Sequence, residues 1–169
     1  MNQYKDLTQQ WINEAKPKKG SIRFLNYVIT QEGERFDYTN SILSISTDDD
    51  VKIGTWFKNN IWGNCRFQPS IDAPQGKRSA DLRLFGNCKL VRQQTIEIKI
   101  VSSVRVDGLA KRFKQAKSQS SNVLLDVTNY PYEMAVVKSE VRKYFLNHNW
   151  VDLVAVKKDN DLQFVWQKV

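Results

Sequence analysis

The sequence predicts an α/β protein with a mixed central β-sheet flanked by helices, on three observations. Alternating apolar and polar residues, as in Thr95–Val101, indicate strands with one buried face. Apolar residues at helical spacing predict helices over 109–119 and 132–147. The run 122–128 is almost continuously apolar, which is typical of a strand buried on both faces in the middle of a sheet.

The other elements have their own local signals. Asp48–Asp50 are good N-terminal caps for a helix over 51–62, which Gly63 ends. Between residues 22 and 46, β-branched and aromatic residues with turn signals predict a hairpin or meander. The remaining predicted strands are 65–68, 80–85, 151–156 and 162–166, of which the last two form a hairpin. From Cys65 onward the predicted order is β-β-β-α-β-α-β-β.

Length and composition predict one domain over 21–169, preceded by a tail or linker over 1–20. The chain has 169 residues, 41% of them apolar, which is enough to bury a core. The segment Lys16–Gly20 is typical of a linker. No apolar run reaches the roughly 20 residues of a membrane span, and we expect no secretory leader and no membrane partner. Cys65 and Cys88 are isolated, which favours reduced thiols and a cytoplasmic site of action.

Positive charge is concentrated in one part of the chain. The net charge is +8, and residues 77–117 contain eleven Lys and Arg against three acidic residues. Residues 1–50, in contrast, contain six bases against eight acids. A field concentrated in this way favours nucleic acid as partner, because such proteins bind largely by neutralising phosphates. A well-solvated basic surface is the alternative.

Three residues within this basic window form a candidate catalytic site. Glu97 and Lys99 share one face of the strand Thr95–Val101, and Asp81 lies in the preceding predicted strand. Carboxylates suit Mg²⁺ or Mn²⁺, and a lysine offsets charge on an attacked phosphate. We therefore predict Asp81, Glu97 and Lys99 as catalytic residues on a sheet face outside the core, with Asp81 and Glu97 as ligands if the reaction needs a metal. An exposed Glu–Lys strand pair of little consequence is the alternative.

Other chemistries have little support. His148 is the only histidine, which excludes paired-histidine phosphodiesterases and multi-histidine metal sites. Its place at a predicted helix end indicates a cap or an exposed turn residue. Neither cysteine has the surroundings of a nucleophile, and no phosphate-binding P-loop motif is present.

Four motifs, taken in order, resemble one nuclease pattern. They are Lys77–Gly86, Ile96–Lys99, Ala110–Gln119 and Asn122–Thr128. Over about residues 51–166 the chain resembles the C-terminal toxin domains of contact-dependent growth inhibition proteins (CdiA-type tRNA nucleases) and their relatives in phages and conjugative elements. The resemblance implies an endoribonuclease toxin that cleaves RNA, tRNA first, in the cytoplasm of a target cell. It also implies a dedicated, acidic immunity protein as partner.

On this hypothesis a further set of polar and basic side chains holds phosphates or bases of the substrate. These are Arg83, Lys111, Lys114, Gln115, Gln119 and Thr128.

Related domains fall into two groups, the metal-dependent PD-(D/E)xK nucleases and the barnase–EndoU–colicin–RelE ribonucleases. Here Ala80 stands where proline is usual in the first group, and the second group's catalytic histidine is not evident, so metal dependence stays open. A metal-free ribonuclease would use the RNA 2′-OH as nucleophile, with Lys99, Lys111, Thr128 or a carboxylate moving protons. Two rival hypotheses are a metal-dependent DNA nuclease on the same residues and a non-enzymatic nucleic-acid-binding accessory protein of a mobile element.

Overall fold

The fold is a mixed α and β structure, as predicted. The computed structural model describes residues 4–37, 43–44, 47–68, 70–71, 79–88 and 94–169. Its helices are α1 (Thr8–Asn13), α2 (Asp48–Asn60), α3 (Gly108–Ala116) and α4 (Met134–Asn147). Its strands are β1 (Tyr4–Asp6), β2 (Tyr27–Ile29), β3 (Arg35–Asp37), β4 (Leu43–Ser44), β5 (Cys65–Phe67), β6 (Ser70–Ile71), β7 (Leu82–Leu84), β8 (Thr95–Ile100), β9 (Asn122–Asp126), β10 (Leu153–Lys158) and β11 (Asp161–Lys168).

Seven of the described strands form one sheet in the order β1-β11-β10-β9-β8-β7-β5. β8, β9 and β10 run parallel to one another, and the other neighbours in the sheet are antiparallel. The helices α3 and α4 make the two connections between the parallel strands. Two small antiparallel pairs, β2 with β3 and β4 with β6, lie outside this sheet.

Apolar side chains bury both faces of the sheet. On one face Phe57 of α2 packs with Phe67 and Leu82, within a cluster that also contains Ile96 and Ile98. On the other face α3 and α4 pack against β9 and β10 in a second cluster. The buried side of α3 includes the predicted residues, which are Leu109, Phe113 and Ala116.

Two helix boundaries differ from the prediction for local reasons. The helix α2 begins at Asp48 rather than Val51, because the hydroxyl oxygen of Thr47 caps it by accepting a hydrogen bond from the Asp50 N–H at 3.3 Å. The helix α3 ends at Ala116, so Gln119 lies in the turn that follows rather than on the helix.

The segment predicted as a tail packs against the rest of the protein. The strand β1 pairs with β11, and the side chain of Trp11 in α1 is fully buried. Farther along, the Gly63 N–H donates to the Lys16 carbonyl at 2.7 Å. The structure differs from the prediction because the first 20 residues contain four lysines, and their few, widely spaced apolar residues give no clear pattern.

Some predicted features fall outside the described residues. They are the turn at Tyr38–Asn40, most of the loop between Pro69 and Ser79, and four of the eleven window bases, namely Lys77, Arg78, Lys89 and Arg92. Among the helices that the structure does describe, none has the length and apolar character of a membrane span.

The close approach at Gly63 makes the docking of the N-terminal segment testable. A Cβ atom on Gly63 would lie 2.4 Å from the Lys18 Cβ and 2.8 Å from the Lys18 backbone nitrogen. Backbone must therefore move, and we expect Gly63→Ala to lower the free energy of unfolding by about 1–3 kcal/mol in urea denaturation. The exposed change Lys143→Ala should stay within about 0.5 kcal/mol of wild type. Equal stabilities for the two variants would contradict this packing.

Candidate active site

The structure brings Asp81 and Glu97 together where β7 meets β8. The register pairs Leu82 with Ile96, which places Asp81 opposite Glu97. The Asp81 N–H donates to the Glu97 Oε1 at 3.1 Å, and the Ile98 N–H donates to the Asp81 Oδ2 at 2.9 Å. Each carboxyl group is thus held by the backbone of the opposing strand.

Both carboxyl groups are buried, although the sequence predicted them on a sheet face outside the core. Asp81 is 7% and Glu97 1% exposed. The face was predicted correctly, because Ile96 and Ile98 lie in the apolar cluster on the other side. The burial of the two carboxyl groups was not predicted, because the segments that cover them are distant in sequence. One of these is the β2 segment, whose Ile29 N–H donates to the side-chain oxygen of the buried Gln68.

Burial and proximity change the acidity of the pair. Desolvation raises the pKa of Asp81 well above its usual value of 3.8, and the negative charge of Glu97 raises it further. Desolvation also raises the pKa of Glu97, although the hydrogen bond with Asp81 and the charge of Lys99 oppose this rise. The hydrogen bond between the two side chains raises the pKa of Asp81 and lowers that of Glu97. Burial and mutual repulsion therefore favour a protonated pair over a doubly ionised one.

Lys99 supplies the positive charge of the site. Its Nζ lies 3.0 Å from the Glu97 Oε2, and its side chain is 19% exposed, so it reaches the surface beside the buried pair. Because Glu97 is almost fully enclosed, this ion pair is screened little by solvent, in contrast to an ion pair on an exposed strand face. Asp81, Glu97 and Lys99 thus form one contiguous cluster.

Asp50, which the sequence assigned only to helix capping, influences the site through its charge. Desolvation raises the pKa of Asp50, and the charge of Lys99 opposes that rise. The charge of Asp50 in turn contributes to the raised pKa of Asp81. The first turn of α2 therefore adds a third acidic group near the pair. Its signal was visible in the Asp48–Asp50 run, but three acids at a helix start have a sufficient local explanation.

Two of the predicted substrate-binding residues lie beside the pair. Arg83 and Gln119 line a cavity of about 320 Å³ together with Ala80 and Thr95. Ala80 is the chain neighbour of Asp81, and Thr95 lies on the same strand face as Glu97, two residues away. The Gln119 side chain also donates to the Ser79 carbonyl at 3.4 Å, which ties the turn after α3 to this cavity.

The other predicted substrate-binding residues lie elsewhere. Lys111, Lys114 and Gln115 are exposed on α3, and the Gln115 side-chain oxygen accepts a hydrogen bond from Arg112 at 2.9 Å. The Thr128 hydroxyl donates to the Asp126 carboxylate and accepts from the Asp159 N–H at 2.8 Å, so its contacts are with the β10–β11 turn. Thr128 lines a separate cavity of about 410 Å³ and makes no hydrogen bond to the acidic pair within the described structure. His148 is the C-cap of α4 and stacks on Tyr144, as a cap residue should.

The donor set fits Mg²⁺ or Mn²⁺ in one specific way. The described residues contain no group of three or more histidine, cysteine or carboxylate side chains placed to enclose a metal ion. They do provide the two adjacent carboxyl groups of Asp81 and Glu97. Mg²⁺ in phosphoryl-transfer sites is commonly held by one or two carboxylates, with water and substrate phosphate oxygens completing its shell. The pair is suited to that arrangement once Asp81 releases its proton.

Comparison of the chain with protein-family models, with curated proteins and with solved structures finds no match.

The raised pKa of Asp81 predicts an unusual dependence of stability on pH in metal-free solution. The unfolded chain releases the Asp81 proton near pH 3.8, whereas the folded chain keeps it to a higher pH. The free energy of unfolding contributed by Asp81 is therefore largest in acid and falls as the pH rises through the folded-state pKa. Asp81→Asn imitates the protonated side chain, so it should be at least as stable as wild type at pH 7 in EDTA, with the difference vanishing in acid.

Urea denaturation of both proteins between about pH 3 and pH 8 checks this expectation. The exposed Asp161→Asn, in the β10–β11 hairpin, is the matched control and should show no comparable trend. A loss of stability in Asp81→Asn that grows toward pH 7 would show that Asp81 is ionised in the folded protein.

Proposed function

We propose that the protein is a nuclease that hydrolyses phosphodiester bonds of nucleic acid at the Asp81–Glu97–Lys99 cluster with the help of a divalent cation. The observation that carries the proposal is the buried pair of carboxyl groups with a lysine at its rim. Burial of two adjacent acids opposes folding, because each loses water and repels the other. Perturbed acids of this kind cluster at catalytic sites.

The surroundings favour a polyanionic substrate. Arg83 lines the cavity beside the pair, and the exposed face of α3 carries Lys111 and Lys114. A binding protein without catalytic activity could bind nucleic acid through the same basic residues. Two buried acidic side chains beside them would not contribute to such binding. The acidic pair therefore favours an enzyme over the non-enzymatic accessory protein.

Each residue then has a definite task. Asp81 and Glu97 would hold the cation, whose chemistry when bound would be to polarise a phosphoryl oxygen and to activate a water molecule. Lys99, fixed by Glu97 at 3.0 Å, offsets the negative charge that develops on the attacked phosphate. Arg83 and Gln119 contact the substrate backbone in the adjoining cavity.

The proposal also includes the identity of the nucleic-acid substrate. The resemblance to toxin domains supports RNA, and tRNA in particular, as the target of a toxin delivered into another cell and neutralised by an immunity protein. The site chemistry itself uses only the phosphate, so DNA is the alternative substrate. A metal-free ribonuclease is the alternative mechanism.

Incubation of the purified protein with tRNA and with plasmid DNA, in Mg²⁺ and in EDTA, distinguishes these substrates and mechanisms. We expect cleavage of tRNA that stops in EDTA. Cleavage of tRNA in EDTA that leaves a 2′,3′-cyclic phosphate would establish the metal-free mechanism. Metal-dependent cutting of plasmid with intact tRNA would establish the DNA nuclease, and binding of either without cleavage would leave the accessory protein.

Variants at the cluster connect the activity to these residues. Asp81→Asn and Glu97→Gln should reduce cleavage by about a thousandfold or more, since each removes a ligand of the catalytic cation. Lys99→Met should lower kcat by about 100-fold or more with little change in KM, because its charge acts in the transition state. Lys143→Met, an exposed control on α4, should retain full activity. Near wild-type activity of Asp81→Asn would remove the proposed centre.

A further inference from the structure

Three arginines lie side by side across the edge of the large sheet. Arg66 of β5 is directly opposite Arg83 of β7. Phe24 forms a parallel bridge with Phe67, and the Phe67 N–H donates to the Arg23 carbonyl at 2.8 Å, which places Arg23 beside Arg66. Because side chains alternate along extended chain, Arg23, Arg66 and Arg83 project from the same face. We call these three residues the arginine row.

The arginine row leads to the acidic pair. Arg83 is opposite Thr95 of β8, and Glu97 lies two residues farther along the same face. Adjacent strands are about 4.8 Å apart, so the row runs about 14 Å from Arg23 to Thr95. At about 3.4 Å per nucleotide of a stacked strand, this distance corresponds to about four nucleotides.

Among the described residues, no acidic side chain forms an ion pair with an arginine of the row. Like charges directly opposite each other destabilise a sheet, so such a row opposes folding unless anions bind to it. Arg23 and Arg66 line a cavity of about 750 Å³, and none of the described residues around it is acidic. The six Lys and Arg residues that line it are Lys16, Lys18, Lys19, Arg23, Lys58 and Arg66.

The hydrogen bonds of Lys58 hold the wall of this basic cavity in a defined conformation. Lys58 is 8% exposed, and its ammonium group donates to the carbonyls of Lys18, Lys19 and Gly20 at 2.9–3.3 Å. A buried cation thus fixes the backbone of the loop that presents the other lysines. Lys58 is also one of the basic residues that line the cavity.

We propose that the arginine row and its basic cavity bind the phosphate backbone of a single nucleic-acid strand and direct it across β5 and β7 to the acidic pair. The proposal rests on the proposed nuclease function and defines the path of its substrate. The row binds phosphates about four nucleotides from the cleaved bond. It recognises RNA and single-stranded DNA through the same chemistry.

Fluorescence anisotropy with labelled oligonucleotides tests the path without any need for cleavage. The probes are single-stranded RNA and DNA of about 12 nucleotides, and of about 2 nucleotides, which are too short to reach from the acidic pair to Arg23, titrated into the Glu97→Gln protein over a range of salt concentrations. Arg23→Gln with Arg66→Gln removes two charges from the row. The control, Lys5→Gln with Lys143→Gln, removes two exposed charges, one of them from β1 at the opposite edge of the sheet.

The row variant should bind the longer probes about tenfold more weakly at low salt, and its salt slope should fall by about 1.4, the value for two phosphate contacts on a single strand. The shorter probes and the control variant should change little. Thermal unfolding of the row variant should occur at the wild-type temperature or above it, because like-charge repulsion is relieved. An equal loss in the row and control variants, or a loss independent of probe length, would overturn the proposal.

The RNA and DNA probes together show which strand the path accepts. A length-dependent loss with either probe supports the path. The binding result also separates this proposal from the proposed function. If the wild-type protein cleaves nothing but the row variant still binds the longer probes more weakly, only the catalytic proposal is contradicted.

Discussion

The close approach of the buried Asp81 and Glu97 carboxyl groups is the interaction around which the site is organised. Two ionised acids repel each other strongly in a buried position, and this repulsion adds to desolvation in raising the pKa of Asp81. Lys99 forms an ion pair with Glu97 at 3.0 Å. If the pair holds a divalent cation, as we propose, both carboxyl groups would have to be ionised, so binding of the ion would release any proton that Asp81 keeps.

The hydrophobic core is what permits such a site. Ile96 and Ile98 anchor β8 in the apolar cluster on one face, so Glu97 and Lys99 must project from the other. The antiparallel pairing of β7 with β8 then brings in Asp81, and the parallel pairing of β8 with β9 encloses the strand on its second edge. The stability of these pairings offsets the cost of burying the two acids, so the site depends on the core for its geometry.

The sequence predicted those parts of the structure that depend on local pattern. Period-2 alternation in Thr95–Val101 assigned Glu97 and Lys99 to one face, and the strand predicted over 80–85 placed Asp81 in the preceding element. The fold class followed from the same patterns. The features that the sequence did not predict depend on contacts between segments that are distant in sequence. These features are the burial of the pair, the role of Asp50 and the arginine row. They involve the β2 region, α2 and residues 23–25, and the spacing of residues in the sequence does not show how these segments pack.

Thr128 and the N-terminal segment illustrate the same limit from the other direction. Thr128 was grouped with the site through the resemblance to toxin domains, but its hydroxyl is held by Asp126 and Asp159 instead. Residues 1–20 were assigned to a helix or tail because Lys16–Gly20 is typical of a linker, whereas β1 pairs with the sheet and Trp11 is buried. In both cases tertiary contacts produce a structure that differs from the one that local composition favours.

Proton release on metal binding tests the central claim most directly. Isothermal titration of Mn²⁺ into the protein near neutral pH, repeated in two buffers with different ionisation enthalpies, gives the number of protons released per ion. The account predicts release of up to about one proton per bound ion, a fraction that shrinks as the pH passes the raised pKa of Asp81. Asp81→Asn should bind more weakly and release none. Tight binding of Mn²⁺ by both proteins with no proton released by either would contradict the account.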